Sequence, residues 1–412
     1  MSTMARIGRT ARLGGAAAAV MLLTAAMPAF DAVLGRALFE RVWVGGGSST
    51  KAADGLGPLH NARSCVGCHP RGGAAAILVD AAGDATGAGL VVRLAGPGGG
   101  PDPVYGHQIQ TRGLPGHAAE ARLASTVLPM AEGDPGPRIA ATLADLGYGP
   151  IDPETGVGLR RAPSLVGRAA LASADAAAVI ARADPDDADG DGVRGRARML
   201  VGPDGVPVLG RYGWRAGGTT LAAQVASAFS IDLGLSTPFR PDPAGDCTPA
   251  QPACRAALHG DNDSAAATEI TTDMIVLIEA YLASLEARPA PDGQGAALFA
   301  ATGCAACHVP ALAAVGGGTV PAFTDLLLHD LGPGLADPAV DPGVAPGEWR
   351  TAPLVGLSAG KAVTRRFLHD GRAGSIEEAV LWHDGEAAAA ASRFRGLAAD
   401  DRRALLDYVE RL

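Results

Sequence analysis

Two short strings in the sequence each place two cysteines and a histidine within five positions. They are "CVGCH" at residues 65–69 and "CAACH" at residues 304–308. The C-x-x-C-H spacing is the attachment signature of a c-type haem, in which the two thiols bond to one porphyrin and the adjacent histidine ligates the iron. The sequence therefore predicts two covalently bound haem c groups, with these thioether and iron ligands: Cys65, Cys68, Cys304 and Cys307, and His69 and His308.

A zinc site and a redox dithiol are the alternatives to haem attachment. A structural zinc site needs four ligands in one place, such as two C-x-x-C knuckles that come together. Here the two strings are far apart in the chain, and each carries its own histidine. A thioredoxin-like dithiol does not require the adjacent histidine. The repeated histidine favours haem in both strings.

The beginning of the chain indicates where the protein works. Three arginines precede the apolar run "LGGAAAAVMLLTAAM", which ends among small residues. This pattern is typical of a secretory signal peptide, and the run is shorter than the roughly 20 residues that cross a bilayer. We expect residues 1–29 to be a signal peptide, the mature protein to be periplasmic, and no transmembrane span to remain after its removal.

The composition narrows the class of protein further. Hydrophobic residues make up 48% of the chain, which is enough for a sizeable core, and the 57 glycines and 30 prolines predict long loops. The formal net charge of −9 argues against nucleic-acid binding, which requires a basic face.

The third cysteine pair, Cys247 and Cys254, lies in "CTPAQPAC" with no histidine close behind. In an oxidising compartment, a short-loop disulfide is the ordinary interpretation of such a pair. A redox-active thiol pair is the alternative.

A repeated phrase precedes each haem motif. "GRALFERV" comes before the first motif and "GAALFAAT" before the second. The repeat suggests two cytochrome c-like domains, each with an amphipathic first helix. We place the N-terminal domain, with a large insertion, at residues 30–285 and the C-terminal domain at residues 286–412.

Longer stretches of the sequence resemble a known family. The chain is similar to the bacterial dihaem oxidoreductases called thiol oxidoreductases, which are in turn similar to dihaem cytochrome c peroxidases and to the dihaem enzyme of methylamine utilisation. The stretches that carry the resemblance include "DGLGPLHNARSCVGCH", "YGHQIQTRGLPG", "RYGWRAG" and "FLHDGRAGSIEEAVLWHDGEA". The resemblance implies a mostly α fold of two cytochrome c-like domains with long loop-rich insertions. It also implies that the first haem reacts and the second relays electrons.

His383 is the predicted sixth ligand of the second haem. In "GSIEEAVLWHDG", Ser375 and Glu378 have the spacing of a capping box, and the helix that follows places His383 on its apolar face. The related peroxidases carry an iron ligand on this helix, fourteen residues after the histidine of "HDG", and that offset leads from His369 to His383.

The resemblance also supplies candidates for catalysis and electron transfer. In the related peroxidases, a Glu/Gln pair handles the protons of bound peroxide. Gln108 or Gln110 is the corresponding glutamine here, and Glu120 is the candidate carboxylate, with a solvated surface position as the alternative. Trp214, Trp349 and Trp382 are candidates for an indole between the haems, and we select Trp214.

A calcium loop is a further expectation. "DPDDADGDGVRG" places Asp187, Asp189 and Asp191 at alternate positions, as in the first half of an EF-hand loop. The twelfth position is Arg198 instead of glutamate, so a calcium ion would need oxygens from elsewhere. An acidic turn without an ion is the alternative.

These observations support three hypotheses about function. The first is a peroxidase-like oxidoreductase acting on a small-molecule oxidant or substrate, with a small cytochrome or cupredoxin as electron donor. The second is a dihaem electron-transfer cytochrome without its own catalytic site. The third is a thiol oxidoreductase, for which only Cys247 and Cys254 could serve as protein thiols.

Overall fold

A computed structural model describes residues 29–79, 85–87, 89–128, 130, 133–202, 204–260, 268–357 and 365–412. Nearly all of the predicted signal peptide lies outside the described residues. Within the described part of the chain, no helix is both long enough and apolar enough to cross a bilayer.

Ten α-helices are present in the described residues, and several are short. The first, α1, covers residues 29–40. The others, α2 to α10, are Cys65–Cys68, Ala176–Ile180, Leu221–Leu233, Pro252–Arg255, Thr272–Ser284, Gln294–Ala301, Ile376–Leu381, Ala388–Arg395 and Ala399–Glu410. Short 3-10 turns lie at Lys51–Ala53, Pro70–Gly72, Pro97–Gly99, Ala169–Ser173, Cys304–Ala306, Pro333–Leu335 and Gly385–Ala387.

Fifteen short strands accompany these helices in the described residues. In chain order, β1 to β15 are Leu59–His60, Leu78–Val79, Ala85–Thr86, Leu90–Ala95, Gln108–Ile109, Arg112–Gly113, Arg122–Leu128, Arg138–Ala144, Gly156–Arg161, Met199–Val201, Pro207–Leu209, Ala311–Ala313, Thr319–Pro321, Leu328–Asp330 and Glu348–Arg350. They form one three-stranded sheet, β5-β4-β9, and six two-stranded sheets, all antiparallel.

The expectation of a mostly α fold is wrong. Helix accounts for 31% of the structure and strand for 17%, spread over many small sheets. The strands lie mainly in the stretches that the sequence marked only as loop-rich. Those stretches carry short apolar runs broken by glycine and proline, which end helices but are compatible with short hairpins. The division of the chain near residue 285 remains a prediction.

The repeated phrase makes the same helix contact in both places. Phe39 of α1 packs on Tyr281 of α6 with ring centroids 5.0 Å apart, and a Cβ at Gly35 would lie 2.9 Å from the Cβ of Tyr281. Phe299 of α7 packs on Tyr408 of α10 at 5.6 Å, and a Cβ at Gly295 would lie 2.5 Å from the Cβ of Tyr408. Each glycine therefore allows two helices to approach closely just ahead of a haem motif.

The three-stranded sheet separates an apolar layer from a polar one. Val92 of β4 and its partner Ile109 of β5 are fully buried in an apolar cluster. Because side chains alternate across a sheet, the neighbouring pair Arg93 and Gln108 projects from the opposite face. That face turns polar side chains towards α4, near the first motif.

A Gly295→Ala substitution should destabilise the protein although alanine favours helix. The added methyl group overlaps the crossing helix, and we expect a loss of about 1–3 kcal/mol in the free energy of unfolding, measured by urea denaturation. Gly396→Ala is the matched control. At Gly396, φ is −79° and an added Cβ meets its nearest atom at 3.5 Å, so that variant should be neutral or slightly more stable. Equal stability of the two variants would contradict the close-packing argument.

Candidate functional site

The first motif is held against the end of helix α4. Gly57 N donates to Leu233 O at 2.8 Å, and Asn61 N donates to Asp232 O at 2.8 Å. These bonds satisfy carbonyls that the helix end leaves without partners. The chain leaves α4 through Gly234, which is left-handed at φ 72° and touches Gly57. The segment that leads into α2 and Cys65 is therefore fixed by backbone contacts.

His69, which ends the first motif, is oriented by a remote carbonyl. Its Nδ1 lies 2.9 Å from Pro163 O. Since a carbonyl only accepts, Nδ1 carries the proton and Nε2 is the nitrogen with a free lone pair. Burial lowers the pKa of His69 to about 4. A neutral imidazole with its tautomer fixed in this way is the usual state of a metal-ligating histidine.

The second motif repeats this arrangement on a different scaffold. Helix α7 ends before Gly303, which is left-handed at φ 89°, and the chain turns into the segment Cys304–Ala306. His308 Nδ1 lies 3.0 Å from Phe323 O. Burial, with a smaller contribution from the nearby His383, lowers the pKa of His308 to about 4. Nε2 of His308 is again the nitrogen available for a metal.

The structure brings His383 opposite His308. The two ring centroids are 6.4 Å apart, and the planes are inclined by 56°. His383 Nδ1 lies 2.7 Å from Ala379 O, which leaves its Nε2 unprotonated as well. Bonds from a metal to imidazole nitrogen are about 2.0–2.1 Å, so two such bonds across one metal separate the ring centroids by roughly 6 Å. The observed pair fits an iron held between the rings.

The helix that was predicted to carry His383 ends before that residue. Ser375 caps α8, its Oγ accepting from Glu378 N at 3.0 Å, as predicted. The Glu378 carboxylate bonds to Gly374 N at 2.8 Å instead of closing the box on Ser375. The helix ends at Leu381, so His383 lies just beyond it and is positioned by its bond to Ala379.

The four motif cysteines are half-buried free thiols. Burial raises the pKa of Cys65 and Cys68 to about 12 and that of Cys304 to about 11. A thiolate is therefore unfavourable at these positions, which disfavours a zinc site, whose cysteine ligands are thiolates. Cys247 and Cys254, by contrast, form a disulfide, which confirms the prediction for that pair.

Gln108 lies in the neighbourhood of the first motif. Its Nε2 donates to Asp232 Oδ1 at 2.7 Å, and the charge of Asp232 acts on both Cys65 and Cys68. Burial raises the pKa of Asp232, although the bond from Gln108 and the charge of Arg93 oppose that rise.

The sequence analysis missed Asp232, although one signal was present. Asp232 occupies the last turn of α4, where the helix dipole disfavours a negative charge. An acidic residue at that position has a cost, which indicates a role outside the helix.

Glu120 has hydrogen-bond partners other than Gln108. It is buried, and its carboxylate accepts from Gln110 N at 2.6 Å and from Gln251 Nε2 at 2.5 Å. Burial raises its pKa to about 8 against the effect of these two bonds. The structure thus pairs Gln108 with Asp232 and gives Glu120 different partners.

Trp214 is hydrogen-bonded to two segments that are distant in the chain. Its Nε1 donates to Arg161 O at 3.0 Å, and Arg350 N donates to Trp214 O at 3.0 Å. Arg161 is two residues before the Pro163 carbonyl that holds His69. The other two candidate indoles have different neighbours. Trp349 stacks on His369 with ring centroids 3.7 Å apart, and the Arg372 guanidinium lies over the ring of Trp382.

The acidic loop gathers a different trio from the one predicted. Carboxylate oxygens of Asp184, Asp187 and Asp189 lie within 4.8 Å of one another. Asp191 instead accepts from Val193 N at 2.8 Å. Two of the three predicted aspartates therefore converge, and Asp184 takes the place of the third.

A buried ionic trio that the sequence did not reveal lies beside the second motif. His329 Nε2 is 2.8 Å from Asp325 Oδ2, and its Nδ1 is 2.6 Å from Glu386 Oε2. The same Nδ1 is 3.8 Å from Cys307 Sγ. Desolvation lowers the pKa of His329, but the bonds to Asp325, Cys307 and Glu386 outweigh it and raise the pKa to about 12.

The site thus consists of two C-x-x-C-H motifs, each ending in a neutral, oriented histidine, which is the arrangement of a protein that carries two haems. A family model described as "Di-haem oxidoreductase, putative peroxidase" matches residues 151–412. The chain belongs to this family and is a dihaem oxidoreductase. The match includes Trp214, the second motif and His383, and it begins after the first motif. No curated protein matches the chain.

The stability of the protein should fall as pH rises because of His329. Its pKa is raised from 6.5 when unfolded to about 12 when folded. Its stabilising effect is therefore complete below pH 6.5 and is lost progressively as pH rises from 6.5 towards 12. We expect the wild type to show this slope in urea denaturation between pH 6 and 10.

Two variants test this assignment. His329→Gln should lower the free energy of unfolding by roughly 3–5 kcal/mol at pH 6, because it leaves two buried carboxylates without their cation. That variant should also lack the slope. Glu386→Gln should keep a smaller slope, since Asp325 remains. An unchanged slope in His329→Gln would show that other groups cause it.

Proposed function

We propose that this dihaem oxidoreductase is a periplasmic, peroxidase-like enzyme that reduces hydrogen peroxide, or a related small oxidant, to water. The reaction consumes two electrons and two protons for each peroxide and yields two waters. The observation that carries the proposal is an asymmetry between the motifs. His308 faces His383, whereas His69 forms no such pair with another aromatic ring among the described residues.

The second site suits a relay. His308 and His383 would hold a haem iron from both sides, which leaves no position for a small oxidant there. Two imidazoles fixed by backbone carbonyls would hold the iron without needing to move, and a bound haem would supply one-electron chemistry. We propose that Cys304 and Cys307 attach this haem covalently, and that Cys65 and Cys68 attach the other.

A short route of hydrogen bonds connects the two motif histidines through Trp214. From His69 it passes through the Pro163 carbonyl and the backbone to Arg161, and from there to the indole of Trp214. The Trp214 carbonyl then leads to Arg350 and Thr351. The Thr351 carbonyl accepts from Thr324 Oγ1 at 2.7 Å, next to the Phe323 carbonyl that holds His308. We propose that Trp214 lies on the electron path.

At the first site, Gln108 and Asp232 are the proposed proton-handling pair. Asp232 lies close enough to Cys65 and Cys68 for its charge to act on both, and its carboxyl would pass a proton to a leaving oxygen there. The Gln108 amide orients that carboxyl through the 2.7 Å bond. Glu120 keeps a supporting role in this proposal, since it fixes the Gln110 backbone next to Gln108.

The N-terminal pattern and the disulfide bear on where the protein works. The signal-like N-terminus and the disulfide support an exported protein, whose electron donor would be a small cytochrome or cupredoxin. The disulfide also argues against a thiol oxidoreductase, since Cys254 is fully buried and Cys247 nearly so.

We also propose that Asp184, Asp187 and Asp189 bind calcium. A chelator should then lower the melting temperature of the wild type but not that of Asp187→Ala. If the chelator does not change the melting temperature of the wild type, the loop is an acidic turn that binds no calcium.

Electron paramagnetic resonance of the oxidised and half-reduced protein, together with peroxide turnover, tests the proposed function. We expect one low-spin centre and one centre that is high-spin when oxidised or becomes so on half-reduction. Asp232→Asn should reduce turnover by roughly 100-fold or more, the usual scale of general acid–base catalysis. Two low-spin centres in every redox state, without turnover, would instead indicate an electron-transfer cytochrome.

Two further variants separate the roles of the residues. Trp214→Phe removes the indole donor but preserves bulk, so it should slow the oxidation of the second centre by peroxide and leave both resting spectra unchanged. Glu120→Gln should affect turnover much less than Asp232→Asn. The opposite order would make Glu120 the acid–base residue.

A His383→Gly substitution should open the second iron. The low-spin signal of that centre should become high-spin and its reduction potential should shift, because one of two strong axial ligands is lost. The first centre should keep its spectrum. His369→Gln is the matched control and should change the second centre little. A wild-type low-spin signal in His383→Gly would mean that a different residue is the ligand.

A further inference from the structure

Three partly buried arginines between the two motifs form no ion pair with a carboxylate among the described residues. They are Arg161, Arg168 and Arg350, and we call them the arginine cluster. Arg168 donates to Ser164 O at 3.0 Å and to Pro353 O at 2.8 Å, while its Nη1 is buried without a partner. Nε of Arg161 is buried without a partner as well. Burial lowers the pKa of all three guanidinium groups.

Hydrogen bonds tie the cluster to both motif histidines. Arg161 and Arg168 flank the Pro163–Ser164 segment that orients His69. Arg350 is bonded to the Trp214 carbonyl and precedes Thr351, whose carbonyl binds Thr324 beside the Phe323 carbonyl of the second motif. Arg168 Nη2 and Arg350 Nη1 donate to the carbonyls of Pro353 and Thr351, two residues apart, and the charges of Arg350 and Arg161 both act on Arg168.

The carboxylates that face the cluster have other cations as their bonded partners. Asp370 acts electrostatically on Arg161, but its own hydrogen bond is to Arg372 at 2.7 Å. Asp325 acts on Arg350, but it is bonded to His329 at 2.8 Å. Positive charge with unsatisfied N–H groups is costly to bury. An anion from outside the polypeptide would remove that cost.

We infer that the arginine cluster binds the carboxylate side chains of the two haems. Each haem carries two propionates, and guanidinium groups bind carboxylates through paired, charge-assisted hydrogen bonds. The cluster lies beside both sites, whereas the described ion pairs give it no protein carboxylate. The inference rests on the proposed haem attachment at both motifs, and it does not depend on which small oxidant is reduced.

Reduction potentials of both haems, measured by spectroelectrochemistry of the complete protein without peroxide, test this inference. Arg168→Met should lower the potential of at least one haem, because an unneutralised propionate stabilises the ferric state. We expect the equilibrium for reduction to fall between about threefold and tenfold, the latter being about 59 mV for one electron. Arg168→Lys keeps the charge and should restore at least half of the shift. Arg122→Met, at an exposed pair with Asp145, is the matched control and should change nothing.

Three outcomes would overturn the inference. The first is that the reduction potentials of both haems are unchanged in Arg168→Met, and also in Arg161→Met and Arg350→Met. The second is an equal shift in Arg122→Met, which would make the effect one of overall charge. The third is a saturable shift of the wild-type potentials on addition of acetate that Arg168→Met abolishes, because the cluster would then bind a free carboxylate. If Arg168→Met fails to mature, Arg168→Gln and Arg161→Gln supply the same comparison. Absence of peroxide turnover in the wild type, with the expected potential shift in Arg168→Met still observed, would count against the proposed function alone.

Discussion

The orientation of two imidazoles by backbone carbonyls is the constraint on which the rest of this structure depends. The motif fixes each histidine next to its cysteines, but a ring with a free χ angle and either tautomer is a poor ligand. The carbonyls of Pro163 and Phe323, both outside the motifs, accept the bonds that fix the ring orientation and the tautomer of each histidine. The segments carrying these carbonyls must therefore be held in place by the remaining fold. The crossing helices with their close glycine contacts, and the small sheets, provide that support.

Because the same constraint acts twice, the differences between the two sites are informative. Around His308 the chain places a second neutral imidazole at 6.4 Å between ring centroids, and a buried cationic histidine beside Cys307. Near the first motif it places a carboxylate of raised pKa with an amide partner. Under the proposed function, a site held between two imidazoles and a site beside a buried carboxyl suit different steps of one reaction. The arginines between them carry charge that the described protein groups do not neutralise.

Long-range contacts account for the errors of the sequence analysis. The apolar runs of β4, β5 and β9 are short, and β4 becomes the centre of a sheet only by pairing with β9 across more than sixty residues. The Gly and Pro content predicted long loops, but it could not say that parts of those loops pair as hairpins. Asp232 and His329 were missed for a related reason, because Gln108 and Glu386 lie far from them in the chain, although Asp325 is only four residues before His329.

The sequence by itself determined the chemistry that depends on neighbouring residues. The two C-x-x-C-H strings, the repeated glycine–phenylalanine phrase, the Ser375 cap and the Cys247–Cys254 pair are all local patterns, and the structure shows each with suitable geometry. Only the tertiary structure decided which groups meet across the chain. It put His383 opposite His308, paired Gln108 with Asp232 instead of Glu120, and exchanged Asp191 for Asp184 in the acidic loop. A local pattern is fixed by covalent geometry and short hydrogen bonds, whereas these meetings depend on how whole helices and sheets pack.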